Sequence, residues 1–312
     1  KVRKVEKDCR AVQALACASA IDISLRNIAE RLRMNNQTGP IFIVGCGRSG
    51  TTLLRVMLNN HSRIAIPGET WFFGRLLMLW GTFWWCPNTE RKRRLFVEVL
   101  KQPTFGELGL DEASLRATID SMRSWRASEV VSVANRAFAA KENKPRWGDK
   151  TPGYINRLRL IKHLFPNATV LHVIRDGRDV ALSFLKAPFG PNSTASAATY
   201  WKKRVEEGQR KGPGLFGNQY MEIRYEELVD DPEGVLLRAC QHVGEAYEPG
   251  MLEFHKKSGD YIQPEQFWLS SVRQKVSTDR VERWRREMSL EDREIFQNIA
   301  GDLLTSLGYS ER

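Results

Sequence analysis

The segment Pro40-Ile-Phe-Ile-Val-Gly-Cys-Gly-Arg-Ser-Gly-Thr-Thr-Leu-Leu54 constrains this chain more than any other. Ile41 to Val44 is a short unbroken apolar run, the pattern of a parallel strand covered on both faces. Pro40 has no ladder donor and belongs at the strand's start or edge. A glycine-rich turn follows, and Thr51 to Asn60 reads as a helix. A strand, such a turn and a helix N-terminus together offer backbone N–H groups and a positive dipole end to a phosphate. Gly45 and Gly50 have the spacing of an ATPase phosphate loop. The lysine that such a loop carries after its second glycine is missing. Thr51 and Thr52 stand there, and Arg48 sits inside the loop. The segment predicts binding of a phosphorylated nucleotide whose γ-phosphate is not handled in the ATPase way.

Strand and helix signals alternate through the rest of the chain. Residues 3–34 read as mostly helical. Ile64-Ala65-Ile66 reads as a second strand ending at Pro67-Gly68-Glu69, and helices broken by Pro87, Pro103 and Gly106 fill 71–140. Ile155 to Leu164 is helical, Thr169 to Ile174 a β-branched strand, Arg178 to Leu185 a helix and Tyr220 to Arg224 a further strand. Pro188 to Asn192 and Gly208 to Gly217 read as loops. Helical character resumes at Glu226, with Pro232 in a first turn, and Asp279 to Leu307 is polar and helical. This alternation predicts an α/β fold, a P-loop-like parallel β-sheet flanked by helices on both faces. The expected organisation is one domain over 39–312 after an N-terminal helical segment, 1–38. That segment swaps, forms a homodimer interface or simply covers the core.

With 312 residues, 42% hydrophobic and including 14 Phe and 9 Trp, the chain fills a sizeable core. Its formal net charge is +11, with clusters at Arg91-Lys-Arg-Arg94, Lys202-Lys-Arg204 and Arg283 to Arg286. Zinc-finger, basic-zipper and RNP-like patterns are all missing. The charge therefore suits a small, highly anionic substrate, and no nucleic-acid partner is expected. Cys9, Cys17, Cys46, Cys86 and Cys240 form no metal-ligand pattern, and their scatter fits a reducing compartment. Cys46 reads as a small filler within the loop. The apolar stretch Leu76 to Trp85 is too short to span a bilayer, and a cytoplasmic location is the default expectation.

The second strong feature is His172-Val-Ile-Arg-Asp-Gly-Arg-Asp-Val-Ala-Leu-Ser-Phe-Leu185. A buried strand ends at Ile174, so Arg175 stands at its carboxyl end, where open α/β sheets bind ligands. Ser183 falls in the second or third turn of the following helix. An arginine and a hydroxyl so placed can hold one phosphate from two sides. His172 lies inside the strand and reads as a core residue. His61 ends a helix and reads as a local cap.

Together, Gly45 to Leu54 and Val173 to Ser183 resemble the two donor signatures of sulfotransferases that use 3′-phosphoadenosine 5′-phosphosulfate (PAPS) and release adenosine 3′,5′-bisphosphate (PAP). The style is that of the protein-tyrosine sulfotransferase branch and its bacterial relatives. Supporting stretches are Pro67-Gly-Glu-Thr70, Trp147-Gly-Asp-Lys-Thr-Pro152, Leu164-Phe-Pro-Asn-Ala168, Arg224-Tyr-Glu-Glu-Leu228 and Ser277-Thr-Asp279. The resemblance implies that Arg48, Ser49, Gly50, Thr51 and Thr52 hold the 5′-phosphosulfate, and that Arg175 and Ser183 hold the 3′-phosphate. It puts Tyr225 near the adenine and brings Ser277 in from the C-terminal segment. It makes Glu69 the base and Lys150 the catalytic lysine.

The residue types suit that chemistry. In-line sulfuryl transfer builds charge on the leaving phosphate oxygen, and Arg48 and Lys150 are the cations that can stabilise it. No metal is expected, because the donor is already activated. Each role has a rival: Glu69 as a structural carboxylate orienting Arg48 or Arg55, and Asp149-Lys150 as a solvent-facing charged pair. In the tyrosine-sulfating branch an arginine follows the Glu-Thr pair, and here Trp71 stands there. Trp71, Phe72 and Phe73, with Trp80, Phe83, Trp84 and Trp85, can build an aromatic wall for a small or amphiphilic hydroxylated acceptor such as a phenol, alcohol or sugar. A protein-tyrosine acceptor is the alternative. A P-loop kinase and a non-catalytic nucleotide- or anion-binding protein are the readings from other classes.

Overall fold

A computed structural model describes residues 39–256 and 274–309. The helical segment expected at 3–34 lies outside the described residues. Among the described residues, β1 (Ile41–Gly45), β2 (Ile64–Ala65), β3 (Arg146–Lys150), β4 (Thr169–Ile174) and β5 (Tyr220–Arg224) form one sheet in the order β2-β3-β1-β4-β5. Every pairing is parallel. β1 sits in the middle, with Ile41 beside Gly148 on one side and Thr169 on the other.

The alternation in β1 feeds both faces of the sheet. Phe42 and Val44 enter a core with Phe73, Leu76, Leu95 and Leu158, while Ile41 and Ile43 enter another with Leu54, Leu58, Leu228 and Leu236. This two-sided burial is why a continuous apolar run codes for the strand. Helix α1 (Thr51–Asn59) follows the glycine turn. Helices α2 (Phe73–Gly81), α3 (Asn88–Leu100), α4 (Glu112–Ser121), α5 (Ala127–Val131) and α6 (Val133–Lys141) then occupy the region read as helical, before β3. Helix α7 (Leu158–Leu164) precedes β4, α8 (Gly177–Leu185) follows it, and α9 (Thr194–Phe216) leads to β5. Helices α10 (Tyr225–Asp230) and α11 (Pro232–Val243) come next, with Pro232 in the first turn of α11. The C-terminal segment holds α12 (Trp284–Glu287) and α13 (Leu290–Ser306), the latter capped by Ser289.

Two expectations are corrected, and one strand gave no warning. Gly208 to Gly217 is not a loop, because α9 runs through Gly208, Gly212 and Pro213 to Phe216. Its glycines serve close packing: a Cβ at Gly208 would stand 2.4 Å from the His172 ring, and one at Gly212 2.1 Å from the Tyr220 ring. Phe72, Phe73 and Phe83 form no wall, since they are core side chains. Trp84 and Trp85 point into solvent. β3 gave no strand signal, because Arg-Trp-Gly-Asp-Lys is not apolar. Among the described residues, no helix is long and apolar enough to cross a membrane.

Candidate active site

In a parallel sheet all carboxyl ends share one edge. Gly45 ends β1, Pro67 to Glu69 lie just past β2, Lys150 ends β3, Arg175 follows β4 and Tyr225 follows β5. The chain's winding reverses across β1, which has β3 on one side and β4 on the other, and ligands settle at such switch points. A cavity of about 550 Å³ opens there. Arg48, Gly50, Thr51, Thr52, Glu69, Lys150, Arg175, Ser183, Tyr225 and Ser277 all line it. Ser49 does not: it is fully buried behind the loop, and its hydroxyl has no hydrogen-bond partner among the described residues.

One side of the cavity is built by the glycine turn and the segment after β4. Arg48 adopts a left-handed backbone (φ 70°), as does Gly50 (φ 93°), the N-cap residue of α1. Among the described residues no side chain caps α1, so its first-turn N–H groups are available at the cavity wall. Arg48 Nε donates to Ser183 Oγ at 3.0 Å. Arg175 donates to the Arg48 carbonyl at 3.4 Å and to the Arg280 carbonyl. Its guanidinium stands 4.4 Å from the centre of the Tyr225 ring.

Burial, and then the neighbouring Arg175 and Arg280, push the Arg48 pKa down to about 10, which leaves it a cation at neutral pH. Arg280 is lowered as well, by burial first and by Arg283 and Arg175. Like charges gathered in a partly desolvated cavity favour an anion. Arg175 Nε is buried without a partner among the described residues. These features fit an anionic ligand.

The second half of the site is an ion pair. Lys150 Nζ lies 2.5 Å from Glu69 Oε1 and 3.3 Å from Thr52 Oγ1. Burial pushes the lysine's pKa down, and Glu69 pulls it back up. Glu69 Oε2 accepts a bond from Trp71 Nε1 at 2.6 Å. A buried network fixes the pair from behind. Thr70 Oγ1 donates to Asp149 Oδ2 at 2.7 Å, Asn135 Nδ2 donates to the same oxygen at 3.1 Å, and Thr70 N donates to Thr151 Oγ1 at 3.2 Å. Burial raises the Asp149 pKa. The rival in which Asp149 and Lys150 face solvent is thereby overturned, since both are buried.

Neither histidine reaches this cavity. His61 Nε2 is 2.8 Å from the Ala246 carbonyl, and His172 Nδ1 is 2.6 Å from the Tyr220 hydroxyl. Of the aromatic wall only Trp71 lines the cavity, joined by Phe184, Phe189 and Tyr200. The sequence reading missed Arg280, Phe189, Tyr200 and Glu107. Arg280 directly follows Ser277-Thr-Asp279, and that adjacency was the available signal.

A sequence profile described as the sulfotransferase family matches residues 40–249. The chain belongs to the sulfotransferase family. The chain is 26% identical to an uncharacterized protein of Aquifex aeolicus over 278 residues, covering 85% of this chain and 33% of that protein. It is 26% identical to protein-tyrosine sulfotransferase A of Caenorhabditis elegans over 259 residues, covering 80% of this chain and 62% of that enzyme. It thus spans about a third and somewhat under two thirds of these relatives' lengths. Among solved structures, the sulfotransferase domain from the curacin biosynthetic pathway superposes with a TM-score of 0.58 at 23% identity, over 85% of this chain and 97% of that one. That likeness is one of fold, and it agrees with the parallel sheet and its covering helices.

Proposed function

We propose that this sulfotransferase moves the sulfuryl group of PAPS to a hydroxyl of a small or amphiphilic acceptor. The carrying observation is the convergence, in one cavity, of the Arg48–Thr52 loop, the Arg175–Ser183 pair and the Glu69–Lys150 ion pair. The loop amides, Arg48, Thr51 and Thr52 would hold the 5′-phosphosulfate, with buried Ser49 shaping the turn. Arg175, Ser183 and Arg280 would hold the 3′-phosphate. Tyr225 and Ser277 would border the nucleoside.

The acceptor oxygen attacks sulfur and the sulfur–oxygen bond to the 5′-phosphate breaks, with its electron pair passing to the phosphate oxygen. Glu69 takes the acceptor's proton, and a base in that role must stand within about 2.6–3.2 Å of it. Arg48 and Lys150 face the charge that grows on the leaving oxygen. Removing one such preorganised donor typically costs about a hundred- to a thousandfold in turnover.

Charge speaks for a neutral acceptor over an acidic peptide. Glu107 lines the cavity beside the base loop: a Cβ at Gly68 would lie 2.5 Å from the Glu107 carbonyl oxygen. Glu69 and Glu107 both line the cavity, and Trp71 stands where the tyrosine-sulfating branch carries an arginine that helps bind acidic peptides. The test is transfer of labelled sulfate from PAPS to phenols, alcohols, sugars and tyrosine peptides. Tight binding of magnesium–ATP with no binding of PAP would refute the reading.

A further inference from the structure

Three independent features meet at Trp71. Its backbone is left-handed (φ 56°), which is costly for a bulky aromatic residue and persists only where the surroundings hold it. Its indole N–H donates to Glu69 Oε2 at 2.6 Å, while Lys150 occupies Oε1. Its ring lies on Gly153, where a Cβ would come within 2.6 Å of two indole carbons, and meets Tyr154 edge-on with centroids 6.3 Å apart. Trp71 is nevertheless 52% exposed and lines the cavity.

Resting on the sulfotransferase reading above, we infer that Trp71 is the positioning residue for the base and the stacking platform that selects a planar hydroxylated acceptor. The two oxygens of Glu69 are held by different groups, one cation and one indole, so the carboxylate plane is fixed on both sides. A carboxylate oxygen has room for more than one donor. Oε2 can therefore keep the indole bond and still take the acceptor's proton. A flat ring stacked on the open face of an indole whose N–H is bonded to the base carries its hydroxyl to that base. An aliphatic alcohol finds no such register. Offset stacking of this kind is favourable beyond the area it buries. Gly153 is part of the device, because any side chain there pushes the indole off its seat.

Two measurements test this. In protein carrying isotope-labelled tryptophan, the Trp71 indole N–H signal, identified by its loss in Trp71→Phe, should move in Glu69→Gln and again when a naphthol is added. An indole signal that ignores both changes overturns the proposal, whether or not the protein transfers sulfate. In steady-state assays with PAPS and a naphthol, Trp71→Phe keeps a ring and removes the N–H, and kcat should fall about tenfold or more. KM for the naphthol should stay within about twofold, because the platform survives. Gly153→Ala, which retains Trp71, should instead raise that KM while PAP affinity stays at the wild-type value. A Trp71→Phe enzyme with wild-type kcat, or a Gly153→Ala enzyme with wild-type KM, overturns the proposal. Failure of the wild-type protein to bind PAP would sink the donor reading instead, and the indole signal would still decide the Trp71–Glu69 coupling.

Discussion

Arg48 Nε donates to Ser183 Oγ at 3.0 Å across a separation of 135 residues. The contact follows from register: Gly45 at the end of β1 lies beside Val173 near the end of β4, so the segments leaving the two strands are neighbours. The group assigned to the phosphosulfate thus touches the group assigned to the 3′-phosphate, and Arg175 and Arg280 stand beside them. Arg175→Ala and Arg280→Ala should each weaken PAP binding about ten- to a hundredfold, the usual loss for a hydrogen bond to a charged group. Binding of AMP, which lacks the 3′-phosphate, should change far less. Calorimetry with both nucleotides separates the cases. Equal losses for both would move these arginines away from the 3′-phosphate.

Glu69→Gln should lower kcat by about a hundredfold or more, the range for removing a general base, with PAP affinity retained. His61→Asn should leave kcat near the wild-type value, because His61 is spent on the Ala246 carbonyl and the Arg63 amide. A Glu69→Gln enzyme with near-normal turnover would remove the base from the mechanism.

In the proposed mechanism Lys150 must be charged to face the leaving oxygen, and burial lowers its pKa from the ordinary 10.5. Glu69 and Asp149 oppose that shift, and Arg55 adds to it. Catalysis should therefore fail as pH rises through a value below the ordinary lysine range. The alkaline limb of the kcat profile should disappear in Lys150→Ala, whose residual rate no longer depends on an ammonium. A limb unchanged in that variant would assign the ionisation to another group.

The sequence displayed four of the five described strands and the glycine turn, and it hid β3 and most of the cavity's aromatic lining. β1 and β4 were legible because strands buried on both faces must be apolar, and the glycine turn between β1 and α1 has few alternatives. β3 was not, because its charges are satisfied by residues far away in the chain: Arg146 by the Val243 carbonyl and Glu245, Asp149 by Thr70 and Asn135, Lys150 by Glu69. No local periodicity encodes partners at that distance. The glycines of α9 read as loop signals because a close approach to His172 and Tyr220 leaves the same mark in a sequence as a turn. The aromatic stretch after Glu69 could not be divided by eye into core and cavity. Trp71 alone of it reaches the cavity, where a left-handed backbone precedes α2.

Gly50 is held by two constraints at once. Its φ of 93° disfavours any side chain, and a Cβ there would stand 2.3 Å from Tyr225 Cδ2. Gly50→Ala should displace the Tyr225 ring, and with it the Arg175 guanidinium stacked on that ring. PAP affinity should fall together with thermal stability. Gly50→Ala should cost less stability in a Tyr225→Ala background than in the wild type, because the clash is gone and only the φ cost remains. Equal costs in the two backgrounds would put the whole effect in the backbone.

Glu287 ties the C-terminal segment to α8. It accepts from Arg283 at 2.8 and 2.7 Å and from Lys186 at 2.8 Å. The bonds from Arg283 and Lys186, in that order, hold its carboxyl at about 2, below the ordinary 4.5. A carboxylate depressed on folding binds fewer protons in the native state, so its contribution is complete above pH 4.5 and is lost as pH falls towards about 2. Glu287→Gln should lower stability in urea at neutral pH by at most about 1 kcal/mol, since the cluster is partly exposed and screened. The gap between wild type and variant should close as unfolding is measured at progressively lower pH through that window. A gap that persists at the acid end would mean that Glu287 stabilises the segment through packing rather than through its charge.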